Sequence, residues 1–136
     1  MAVVITGKYT GDLRCEATHG PSGSTLVTDA PADNMGRGEM FSPTDLAATA
    51  LGTCIVTTMA ILAQRRGIDF SSATFQVEKH MVLEPTRRIG RLPVIIRMSA
   101  AIAASDRVLL ERAAHTCPVH KSLHPDIEAP ISFVYE

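Results

Sequence analysis

The sequence lacks any excess of positive charge. Its 136 residues carry 13 Lys and Arg against 14 Asp and Glu, a formal net charge of −1. A surface for general nucleic-acid binding shows as a basic excess, so no nucleic-acid partner is expected. Cysteine is scarce as well. Three cysteines are too few, and odd in number, for a disulfide framework. The first residues, Met-Ala-Val-Val-Ile-Thr-Gly, offer neither a basic n-region nor a long apolar h-region, so no signal peptide is expected. A reducing cytoplasm is then the expected location, where free thiols are buried, metal-bound or redox-active. Gly36 and Gly38 belong to no phosphate-binding motif. There is no internal repeat and no low-complexity tract.

What is present is the balance of a globular protein, 46% hydrophobic and 20% charged, and one domain over residues 1–136 is expected. From Leu46 to Gln64 no residue is charged, about the length of a membrane span. Alanines dominate it, Gly52 interrupts it, and Thr49, Thr53, Thr57 and Thr58 dilute it, which suits a buried central helix and no membrane partner. The helix should run from a capping Ser42, with Pro43 first and Asp45 third, to Arg65, Arg66 and a Gly67 stop. At ~1.5 Å per residue it would be about 37 Å long, hard for one small chain to cover.

Around this helix the pattern reads as strands. Alternation over 12–19 puts Leu13, Cys15 and Ala17 on one face. A loop rich in Asp, Pro, Asn and Gly covers 29–41. A hairpin is expected with arms 74–83 and 91–99, a turn from Pro85 to Gly90, and Leu92, Val94, Ile96 and Met98 on one face. Ser105 should cap a second helix with Val108, Leu109, Ala113 and Cys117 at helical spacing. A short helix restarts at Pro118, and Ile131, Phe133 and Tyr135 alternate in a last strand. The fold class is α+β.

Each cysteine admits more than one reading. Cys54, mid-helix, reads as a small core residue or a reactive thiol. Cys117 would be the N-cap of the helix that Pro118 opens, where free N–H groups lower a thiol pKa. Cys15, between Leu13 and Ala17, reads as a buried spectator. His115, Cys117, His120 and His124 approach the ligand spacing of a zinc site, which makes a metal-binding domain an alternative. Arg37 and Glu39 lie in the loop before the long helix, as solvated charges or as a flap over its start.

Two segments carry a resemblance. Phe41 to Cys54 (FSPTDLAATALGTC) and Cys117 to Leu123 (CPVHKSL), 63 residues apart from cysteine to cysteine, resemble the two cysteine motifs of the OsmC/Ohr family of thiol peroxidases. Thr28-Asp-Ala-Pro31 and the Arg87-Arg-Ile-Gly90 turn are similar to an OsmC-like subgroup. The resemblance implies an intertwined homodimer with antiparallel sheets wrapped around two central helices. It implies that Cys54 attacks hydroperoxides, organic ones especially and hydrogen peroxide besides, and that Cys117 resolves the sulfenic acid as a disulfide. An Arg and a Glu support the thiolate; by position these are Arg37 and Glu39. A dithiol of lipoyl or thioredoxin type would reduce the disulfide, and no cofactor is required. The chain departs from the family at Thr44, where better-characterised members carry Glu. A stress or ligand-binding protein that keeps the fold without catalysis is a further alternative. An apolar pocket would raise the Cys54 pKa, so the sequence reading requires a cation beside it.

Overall fold

In the computed structural model, which describes residues 1–136, the chain divides into two units, Met1–Leu46 and Ala47–Glu136. The first unit is an antiparallel meander of β1 (Ile5–Gly11), β2 (Arg14–His19) and β3 (Thr25–Asp29), followed by a short 3-10 turn at Ala32–Asn34. Asp12 and Leu13 both have positive φ, 55° and 62°, the pattern of a two-residue I′ turn. Leu13 is therefore in the turn and does not share a face with Cys15. Cys15, expected to be buried, is exposed. The unit carries no helix of its own to cover its sheet, and its only buried residues are Asp29 and Ser42.

Helix α1 (Pro43–Arg66) starts as its sequence predicts. Ser42 Oγ accepts the Asp45 N–H at 3.1 Å, and Asp45 Oδ2 accepts the Ser42 N–H at 2.9 Å, a capping box with Asp in the usual Glu position. By length and composition α1 could cross a membrane, yet Ala48, Leu51, Ile55, Met59 and Ala63 form a stripe in the core of the second unit. The opposite face, through Ala50, Thr53, Thr57 and Ile61, is exposed.

The second unit adds β4 (Thr74–Val77), β5 (His80–Val82), β6 (Arg88–Arg91), β7 (Val94–Met98), α2 (Ala104–Ala114), α3 (Pro118–Ser122) and β8 (Ile131–Tyr135). β7 is central, antiparallel to β4 and parallel to β8, so this sheet is mixed. Leu92, Val94, Ile96 and Met98 are buried as their alternation predicts. The expected hairpin is divided in two. Pro93 has no N–H for the ladder, and the Leu92 N–H leaves it to bond the Glu128 carbonyl at 2.7 Å. β5 and β6 then form a separate ladder, and the expected turn shortens because Arg88 to Arg91 is strand.

α2 also begins differently. Its N-cap is Ala103, with no side-chain cap bond, and Ser105 lies inside the helix. Arg107 fixes the entry instead, donating from Nε to the Ile102 carbonyl (2.9 Å) and from Nη2 to the Ala100 carbonyl (2.7 Å). The buried stripe is consequently Leu110 and Ala114, while Val108 is exposed. Tyr135 closes the contact of β8 with α2. Its hydroxyl donates to Glu111 Oε2 at 2.7 Å, and the Arg107 guanidinium lies 4.1 Å from its ring centre. Burial and the adjacent Glu111 carboxylate push the Tyr135 hydroxyl pKa well up.

Gly52 permits β4 to lie close against α1. A Cβ there would come within 2.5 Å of the Phe75 ring and 2.8 Å of Val77 Cγ2. Gly52→Ala should lower the unfolding free energy by about 1–3 kcal/mol through overpacking, measured by chemical denaturation. Adding Phe75→Ala should recover part of that loss; strictly additive losses would contradict the contact.

Candidate active site

Two side-chain clusters stand out, one in each unit. In the second unit, Cys54 projects half-buried from the middle of α1, and Cys117 is fully buried at the N-cap of α3. Pro118 at the first position of α3 suits a helix start, and it leaves Cys117 outside helical geometry, φ −53° and ψ 123°. Cys117 Sγ accepts the His120 N–H at 3.4 Å. Both belong to one packed cluster, Cys117 within it and Cys54 against it, and each thiol bears on the pKa of the other.

The contact makes the two sulfurs unequal. Burial works against a Cys54 thiolate, but the Cys117 thiol, the Val119 backbone N–H and the Thr58 hydroxyl together outweigh it, and the Cys54 pKa falls below the ordinary thiol value. Thr58 Oγ1 donates to the Cys54 carbonyl at 2.8 Å, and its share in lowering Cys54 is the smallest. Cys117 moves the other way. Burial comes first, then the demand of Cys54 for its proton, and these exceed the His120 and Val119 N–H groups. The sequence expectation of a lowered Cys117 pKa is therefore corrected: a free N–H at the start of α3 serves Cys54. The groups that lower Cys54 within the second unit are neutral donors.

The four residues of the zinc-like spacing do not converge. The His115 ring packs edge-on to Phe133, with centroids 6.3 Å apart. His120 Nε2 meets the Ala129 carbonyl at 3.0 Å. His124 Nδ1 accepts the Asp126 N–H at 3.0 Å, so that nitrogen carries no proton and its contact with the Asp126 carboxylate is not an ion pair. No group of three or more His, Cys, Asp or Glu side chains is placed to hold a metal ion.

In the first unit, Arg37 and Glu39 are brought together, Nη1 to Oε1 at 3.9 Å. Glu39 also pairs with Arg14, which the sequence reading passed over, at 3.3 Å. Arg14 Nη2 reaches Asp29 Oδ2 at 3.4 Å, and that oxygen accepts the Glu39 N–H at 3.1 Å. The Asp29 side chain is fully buried, and Asp29 Oδ1 and Arg14 Nε have no partner. Arg14 is 23% exposed at the side chain against 66% for Arg37, so Arg14 is the better fixed cation. A charge at alternating strand positions gave no sign of this. The Thr58 contribution, by contrast, was readable four residues after Cys54 on one helix face.

The unequal thiols predict an order of reaction. Iodoacetamide should modify Cys54 at lower pH than an ordinary thiol and well before Cys117. Cys117→Ala removes one donor, so Cys54 alkylation at neutral pH should slow by about two- to tenfold, the net worth of one hydrogen bond. An unchanged pH profile in that variant would contradict the thiol contact.

Residues 36–131 match the family described as OsmC-like protein. No curated protein sequence matches the chain. Among solved structures, a Psychrobacter arcticus protein with the provisional description osmotic stress induced and detoxification response protein is 40% identical. The match covers 95% of this chain and 93% of that one, with a TM-score of 0.89. The organic hydroperoxide resistance protein OsmC of Legionella pneumophila shares the fold at 14% identity, with coverage of 98% and 97% and a TM-score of 0.77. The organic hydroperoxide resistance protein OhrB of Bacillus subtilis shares it at 15% identity, with 98% of each chain covered and a TM-score of 0.68. With the family matched across most of its length and a 40% identical relative over nearly all of it, the chain belongs to the OsmC-like protein family.

Proposed function

We propose that the protein is a cysteine-based peroxidase that reduces organic hydroperoxides. The observation that carries this reading is the packing of Cys54, mid-way along α1, against the core cluster that holds Cys117 at the N-cap of α3. The names of the fold relatives from Legionella pneumophila and Bacillus subtilis support the substrate class.

In this reading the Cys54 thiolate attacks the terminal oxygen of ROOH. The O–O bond breaks, an S–O bond forms, and RO⁻ leaves with a proton as ROH, so that Cys54 becomes a sulfenic acid. Cys117 then attacks the Cys54 sulfur. The S–O bond breaks, the disulfide forms, and the Cys117 proton leaves with the hydroxyl as water. The buried Cys117 keeps its proton until that moment, which favours donation to Cys54 at rest. An external dithiol, of lipoyl or thioredoxin type, returns the two electrons by exchange. Arg37 and Glu39, which lie 3.9 Å apart, are proposed as the supporting pair.

We also propose that two copies of the chain form one intertwined, single-domain dimer. Val3, Val4, Ile5, Tyr9, Leu26 and Phe41 are each at least 45% exposed in the single chain. A three-stranded sheet without apolar cover is not stable alone. Sedimentation should give twice the 14.6 kDa chain mass, and a stable monomer would refute the cover argument.

Cys54→Ser should abolish consumption of cumene hydroperoxide with the fold retained, and wild-type rates in that variant would overturn the reading. Cys117→Ser should leave the first turnover intact and accumulate sulfinic acid at Cys54. Cys15→Ser should keep turnover.

A further inference from the structure

Bringing Cys117 against Cys54 places a demand on α3 that the helix cannot meet alone. It has five residues, far short of the length at which an isolated helix holds together. Its N-cap acceptor is a sulfur, a weak one. Val119 and Leu123 pack against the core, but apolar contact is not directional. Direction comes from His120. Its Nε2 lies 3.0 Å from the Ala129 carbonyl oxygen, which can only accept, so Nε2 carries the proton. Ala129 is itself a firm anchor. The carbonyls on either side of it, Glu128 and Pro130, accept the N–H groups of Leu92 and Val94 at 2.7 and 2.9 Å.

We propose that His120 is a positioning residue for the thiol pair: its Nε2–H bond to the Ala129 carbonyl sets α3 against α1 and so keeps Cys117 and Val119 packed beside Cys54. The same residue acts twice. Its backbone N–H orients Cys117 Sγ, and its ring ties that turn to the strand edge beside β7. The catalytic meaning of this rests on the peroxidase reading, but the arrangement exists in the resting protein and can be tested without peroxide.

The test compares His120→Ala, His120→Asn and His120→Gln. A Gln amide nitrogen reaches about where imidazole Nε2 lies, whereas Asn reaches only as far as Nδ1. The readout is the pH dependence of Cys54 alkylation by iodoacetamide, followed peptide by peptide. In the Ala and Asn variants the profile should move to higher pH, with the rate at neutral pH falling by about two- to tenfold. The Gln variant should restore the wild-type profile. Should the Ala variant fail to fold, the Asn and Gln pair decides the matter. A wild-type profile in His120→Asn, or a displacement in His120→Gln as large as in His120→Asn, would overturn the proposal. A second readout is the partition of Cys54 after cumene hydroperoxide, where Asn should form more sulfinic acid and less disulfide than Gln. If wild-type protein forms no disulfide with peroxide while the alkylation pattern holds, the peroxidase reading fails and the positioning role stands.

Discussion

The meeting of Cys54 and Cys117 in one packed cluster is the condition on which the site of the second unit depends. It lowers the pKa of one thiol and raises that of the other, and it joins a mid-helix residue to a helix cap 63 positions later. α1 meets its half of that condition through a capped start and a core stripe from Ala48 to Ala63. The other half is more delicate, since α3 is one turn of helix between two irregular segments. The parallel pairing of β7 with β8 supplies the rigid edge on which that turn is hung.

The first unit has a different organising constraint, a buried carboxylate. An uncompensated charge there would cost several kcal/mol, so Asp29 must be paired. Arg14 and the Glu39 N–H supply the pairing, and the loop from Ala30 to Phe41 is closed as a result, with the Asp29 N–H bonded to the Phe41 carbonyl at 3.1 Å. One β2 cation, one β3 acid and one loop acid thus form a fixed group immediately before α1. The sheet that carries them has no apolar residue buried in the single chain, which is why a partner copy is part of the functional reading.

Local signals in the sequence were translated faithfully at both ends of α1 and along β7. The Ser42–Asp45 box, the Gly67 stop and the alternation from Leu92 to Met98 depend on neighbours within a few residues. The placement of Cys54 and Cys117 in a helix and at a cap was legible for the same reason. Much of what was not legible depends on partners distant in sequence. The direction of the Cys117 shift is decided by Cys54. The exposure of Cys15 reflects a sheet with no apolar residue buried in the single chain, and the break at Pro93 reflects the competing Glu128 carbonyl. Ser105 misled because Arg107, reaching back to Ile102 and Ala100, does the work a capping hydroxyl would do.

The most direct measurement is a redox titration of the fully reduced protein with cumene hydroperoxide, counting free thiols and cumyl alcohol together. The account predicts that one equivalent of peroxide yields one alcohol and removes two of the three thiols per chain, with Cys15 still free and Cys54 linked to Cys117. Loss of a single thiol, or a disulfide through Cys15 with Cys54 still free, would contradict it.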